Sequence, residues 1–132
     1  MPDAVTIGIG QGKRIAAVAV DDAREVMGIN TREELAQMEK TLQERINRKW
    51  MEEGVTFKDP NTSYIDEGVL IGKDTVIGPN THLRGNTALG ERCQIDGSAY
   101  LTDARLGDDV HLKFSVVLTG SRVADGAIIG PF

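Results

Sequence analysis

From Ile65 onward an aliphatic residue returns every six positions: Ile65, Ile71, Ile77, Leu83, Leu89, Ile95 and Leu101. A five-residue step then leads to Leu106, Leu112 and Leu118, and a second to Val123 and Ile129. The residue after the aliphatic is Gly at 72, 78, 90, 107 and 130. The fourth residue after it is small or β-branched at Val69, Thr75, Thr81, Thr87, Cys93, Ala99, Val110, Val116 and Ala127. It fails at Arg105 and Arg122, which lie in the two short steps.

Six residues make one short strand and a corner, and three such units close a triangle of about 18 residues. The aliphatics then stack in three columns: Ile65/Leu83/Leu101/Leu118, Ile71/Leu89/Leu106/Val123 and Ile77/Ile95/Leu112/Ile129. With coils ~4.8 Å apart, this predicts a parallel β-helix of about four coils over 55–132. Gly is expected to supply unusual corner conformations, and Asp66, Asp74, Asp96, Asp108, Asp109 and Asp125 to bond their own backbone in tight turns.

Upstream the period changes. Leu35, Met38, Leu42, Ile46 and Trp50 recur at helical spacing. Thr31 with Glu34 forms a capping box, and Gly54 stops the helix. A helix over 31–53 is about 35 Å long, and so narrow a stripe reads as an arm rather than a core element. Residues 1–30 hold two apolar runs, Val5 to Ile9 and Ile15 to Val20, which predict one or two short strands unable to form a core of their own.

Composition fits this picture. The chain has 15 Gly and only one Trp, two Tyr and three Phe among 132 residues, as a narrow aliphatic prism requires. The net charge is −5 and no segment is basic, which argues against nucleic acid or an anionic membrane as partner. No apolar run approaches ~18 residues, and the N-terminus lacks the pattern of a secretory signal. One cysteine excludes an internal disulfide and fits a cytoplasmic protein.

Candidate chemistry is sparse. Gly8 to Lys13 departs from both phosphate-loop templates and reads as a turn. His82 and His111, set at equivalent corner positions and pointing outward, give weak support to a three-histidine zinc site and read as solvated side chains. Cys93 falls at an inward small position without an activating base. The aspartates are too dispersed to pair for acid–base work.

The order of segments adds a resemblance. Glu25-Val-Met-Gly-Ile-Asn-Thr-Arg-Glu-Glu-Leu-Ala36, the long helix, Glu53-Gly-Val-Thr-Phe-Lys-Asp-Pro60, the hexads and Val123-Ala-Asp-Gly-Ala-Ile-Ile-Gly-Pro-Phe132 follow one another as in a bacterial enzyme family. It is the bifunctional N-acetylglucosamine-1-phosphate uridyltransferase/glucosamine-1-phosphate acetyltransferase family. The resemblance implies a left-handed β-helix. It also implies a remnant of the nucleotidyltransferase domain over 1–30, a linker helix over 31–54 and a truncated β-helix over 55–132. Asn30 matches the Gly-x-Asn asparagine that the family uses near the sugar nucleotide and its Mg²⁺; alone it is an incomplete metal site. Acetyl-CoA, UTP and a sugar phosphate are implied for a full-length protein, together with a homotrimer formed through the β-helix. Neither active site is complete here, so the chain is expected to be inactive alone. A solenoid stopping at Phe132 leaves an uncapped end, from which the natural protein is expected to continue or to dock end to end. The alternative is a non-catalytic trimerisation module holding partners through its helix.

Overall fold

A computed structural model describes residues 31–132. The expected strands before residue 30, the Gly8–Lys13 turn and Asn30 lie outside the described residues.

Helix α1 spans Arg32–Glu52. Its capping box is closed at both bonds: the Glu34 N–H donates to Thr31 Oγ1 (3.1 Å), and the Thr31 N–H donates to Glu34 Oε1 (3.2 Å). Gly54, at φ 95°, takes the left-handed conformation that ends it. The described residues divide inside this helix, after Leu42. In the first part Met38 is buried on the predicted stripe. In the second part, Trp50 joins the core cluster and Ile46 packs against it.

Thirteen short strands follow. They are β1 (Thr56–Phe57), β2 (Ser63–Ile65), β3 (Leu70–Ile71), β4 (Val76–Ile77), β5 (Thr81–Arg84), β6 (Ala88–Leu89) and β7 (Gln94–Ile95). Then come β8 (Ala99–Thr102), β9 (Arg105–Leu106), β10 (His111–Leu112), β11 (Val117–Thr119), β12 (Arg122–Val123) and β13 (Ile128–Ile129). All pairings are parallel and form three sheets. The first holds β2, β5, β8 and β11; the second β3, β6, β9 and β12; the third β1, β4, β7, β10 and β13. This is the expected mainly β class: a parallel β-helix of about four coils after one long helix, its left hand being that of the family it resembles.

The three predicted columns are the observed registers. Ile65, Leu83, Leu101 and Leu118 are Cα partners in the first sheet. Ile71, Leu89, Leu106 and Val123 are partners in the second, and Ile77, Ile95, Leu112 and Ile129 in the third. Ile77, Leu83, Leu101 and Leu112 are wholly buried.

The structure adds to this reading and corrects it in four places. Phe57 heads the third column as partner of Ile77; the step from Phe57 to Ile65 is longer than a hexad because the 3₁₀ turn Pro60–Thr62 intervenes. At the short steps the inward small residue comes one position earlier. Ala104 is buried and its carbonyl accepts from the Ala88 N–H, while the Ser121 carbonyl accepts from Arg105; the lost residue is thus taken from the corner.

Thirdly, Gly72 and Gly78 do not serve backbone freedom, for neither has a left-handed φ. A Cβ at Gly78 would stand 2.3 Å from the Asp96 carbonyl oxygen, and one at Gly72 2.5 Å from the Gly90 carbonyl carbon. They permit close approach of the next coil. Left-handed corners fall to Gly85, Gly120 and Gly126, as expected, and also to Asp74, Asn80 and Asp109, whose short polar side chains tolerate that region, and to Arg92, all at φ 57–72°.

Lastly, the C-terminal half of α1 is not a free arm. Asn47 is buried, and its Nδ2 donates to the carbonyls of Pro60 (2.9 Å) and Ser63 (3.1 Å). Gln43 Nε2 donates to the Ser63 carbonyl at 2.6 Å. These amides tie the helix to the 3₁₀ turn, so Trp50 covers the start of the core.

Two substitutions separate these roles. Gly78→Ala is expected to cost about 1–3 kcal/mol by overpacking against backbone. Leu101→Ala is expected to cost about 2–5 kcal/mol by leaving a cavity. Denaturant unfolding of both variants measures each loss.

Candidate functional site

The outward strand positions present the polar side chains. On the first sheet Tyr64, His82 and Tyr100 are register partners, with Val117 next in line. His82 stacks between the tyrosines at centroid distances of 4.8 and 5.0 Å. Arg84, on the same strand, donates from Nη1 to Asp66 Oδ1 at 2.9 Å. The face therefore combines exposed apolar and aromatic surface, Val117 at 71% being its most open member, with a neutralised ion pair.

His111 is on the third sheet. The two histidines thus occupy strand positions on different faces, not equivalent corners. His111 Nε2 lies 3.0 Å from both oxygens of Asp96, and Gln94 Nε2 donates to Asp96 Oδ1 at 3.0 Å. Partial burial raises the Asp96 carboxyl, but the hydrogen bonds from His111 and Gln94 outweigh it and leave the group below the usual carboxylate value. Among the described residues, no three His, Cys, Asp or Glu side chains come together to hold a metal ion.

The corner aspartates Asp66, Asp108 and Asp125 bond across coils, and not to the backbone of their own turns as the sequence suggests. Asp66 Oδ2 accepts the Gly85 N–H (2.9 Å), Asp103 Oδ1 that of Asn86 (2.8 Å), Asp108 Oδ1 that of Glu91 (2.8 Å) and Asp125 Oδ1 that of Asp108 (2.8 Å). Each carboxylate caps the corner of a neighbouring coil. Arg92 clasps Asp109 of the next coil through Nε (2.9 Å) and Nη2 (3.1 Å), which holds that carboxyl below the usual range.

Cys93 is buried, its Sγ 3.1 Å from the Gly107 carbonyl, and burial pushes its thiol up. It packs as a small inward residue, as its hexad position predicts.

Sequence reasoning passed over Tyr64, Arg84 and Tyr100. The signal was present: Tyr64, His82 and Tyr100 each precede a member of the first aliphatic column, so the period that stacks the core stacks them as well.

No family model matches the chain. It is 43% identical over all 132 residues to the bifunctional protein GlmU of Shouchella clausii, covering 29% of that protein. It is 44% identical over all 132 residues to the bifunctional protein GlmU of Clostridium beijerinckii, again covering 29%. The match to the same-named protein of Synechococcus elongatus is 46% over 118 residues, 89% of this chain and 26% of that protein. No helix among the described residues is long and apolar enough to cross a membrane.

Two outcomes test the assigned roles. Cys93 is expected to resist thiol-labelling reagents in the native protein and to react on unfolding, followed by absorbance in a denaturant series. Asp108→Ala is expected to cost about 1–3 kcal/mol by stranding a backbone donor, read from the unfolding midpoint.

The family resemblance read from the sequence holds along the whole chain, which corresponds to a segment of the bifunctional GlmU proteins spanning less than a third of their length.

Proposed function

We propose that this chain is the connecting part of a bifunctional sugar-nucleotide enzyme. In it, the tail of a nucleotidyltransferase domain (1–30) passes through a linker helix (31–54) into the opening coils of an acetyltransferase β-helix (55–132). The parent enzyme acetylates glucosamine-1-phosphate from acetyl-CoA and then transfers a uridylyl group from UTP. The product, UDP-N-acetylglucosamine, feeds cell-wall synthesis in the cytoplasm. The observation that carries this reading is the identity of 43% across all 132 residues.

Within that enzyme Asn30 offers an amide oxygen suited to a hard cation such as Mg²⁺. Carboxylate and phosphate ligands would have to join it to complete a Mg²⁺ site. The coils build a rigid prism from which later coils display the acetyl-CoA site.

The β-helix assembles as a homotrimer in this reading. The Tyr64, His82, Tyr100 and Val117 face supports it, since the cation Arg84 beside it is neutralised by Asp66. The same face favours the second reading, a non-catalytic assembly module.

A chimera distinguishes them. This chain is placed in the Shouchella clausii protein in exchange for the matching segment. Retention of both transfer activities is the expected outcome, and a folded chimera lacking both would falsify the enzyme reading. Light scattering on the chain alone is expected to give a trimer mass, and a monomer would refute assembly through these coils. Incubated with acetyl-CoA and glucosamine-1-phosphate, the chain alone is expected to yield no acetylated product.

A further inference from the structure

The outer face of the first sheet holds a stacked cluster of aromatic and charged side chains. His82 is sandwiched by Tyr64 from the coil before and Tyr100 from the coil after, with interplanar angles of 16° and 22°. Arg84 Nη2 lies 3.3 Å from His82 Nδ1, while Nη1 of the same guanidinium lies 2.9 Å from Asp66 Oδ1. The guanidinium carbon also stands 6.0 Å from the Tyr100 ring centroid. Arg84 Nε is buried without a partner, so the guanidinium is held through its two terminal nitrogens.

Arginine can only donate. His82 Nδ1 must therefore accept, which places the ring proton of the neutral imidazole on Nε2. A second proton can enter only at Nδ1, where it removes the acceptor and sets a cation against a cation. The groups facing His82 are Tyr64 and Tyr100 on the adjoining strands and Arg84 on its own strand, with Asp66 behind. The Asp66 carboxylate is already engaged by Arg84 and by the Gly85 N–H.

We propose that Tyr64, His82, Tyr100, Arg84 and Asp66 form a proton-sensitive latch across the first three coils, closed while His82 is neutral and released when Nδ1 is protonated. Release displaces Arg84, and with it the Asp66–Arg84 bridge between the first and second coils. The tyrosine faces attract a cation, which opposes release. Burial and the neighbouring guanidinium act the other way and hold the imidazole below its ordinary 6.5.

The sign follows from linkage. Between the lowered folded value and 6.5, the unfolded chain binds a proton that the folded chain does not. The latch's stabilisation is complete above that window and lost as pH falls through it, by up to about tenfold in the folding equilibrium per pH unit. Asp96 and Asp109, both lowered from 3.8, act at more acid pH than this window.

The test is nitrogen-detected NMR of the imidazoles in the full chain, combined with unfolding midpoints between pH 7 and about pH 4.5, a range that spans the imidazole window. The expected result is an unprotonated Nδ1 on His82 at neutral pH and a titration below 6.5 that moves upward in Arg84→Gln. His82→Phe, which keeps a stacked ring, is expected to flatten the stability slope in this window. A proton on Nδ1 at neutral pH, or a titration at or above the ordinary imidazole value, overturns the proposal. So does a slope as steep in a folded His82→Phe as in the unaltered chain. If His82→Phe does not fold, the titration and its response to Arg84→Gln decide the matter.

Discussion

Every coil hydrogen-bonds to the next through its backbone, and this ladder fixes the spacing on which everything else depends. Strands in such a ladder stand ~4.8 Å apart, so each inward position stacks on its equivalent above and below. The interior of a three-sided coil is narrow. It accepts one aliphatic per side, as in the Ile77, Ile95 and Leu112 column, and one small residue near each corner. Large rings are pushed outside, where Tyr64 and Tyr100 lie against His82, or to the entrance, where Trp50 and Phe57 enter the core cluster. The scarcity of aromatics follows from the width of the prism.

The same spacing governs the polar groups. Where the backbones of adjacent coils converge, even a methyl group is too large, and Gly72 and Gly78 answer that crowding. Where the chain turns, backbone donors are left over, and Asp103, Asp108 and Asp125 accept them from the adjoining coil. The ladder thus continues through side chains at the corners. Helix α1 meets this system through Gln43 and Asn47, whose amides bind carbonyls of the irregular turn before the first full coil.

The three columns were legible in the sequence because one aliphatic per hexad is a strong periodic signal. Phe57 was not, because the Pro60–Thr62 turn breaks the period and only backbone pairing reveals the partner. Ala104 and Ser121 were hidden because a five-residue step could lose its residue from the strand or from the corner, and counting does not distinguish them. The purpose of Gly72 and Gly78 is hidden for a related reason: composition shows that glycine is present, whereas the distance to the next coil shows why. The Asn47 and Gln43 bonds could not be read at all, since a buried amide on a helix stripe resembles any polar interruption until its carbonyl partners are located. The candidate surface lay between these cases. Its histidine was noted, but its neighbours become visible only when the chain is read at the interval of one coil.

The two five-residue steps show where this architecture tolerates editing. Each removes a corner residue while leaving registers such as Leu106 with Leu89 and Leu112 with Ile95 intact. A deletion within a strand would rotate its alternating side chains and turn an aliphatic outward. Length variation among such chains is therefore expected to be quantised: single residues come and go at corners, and whole coils can be gained or lost. Intermediate lengths would leave the winding out of phase with its neighbour.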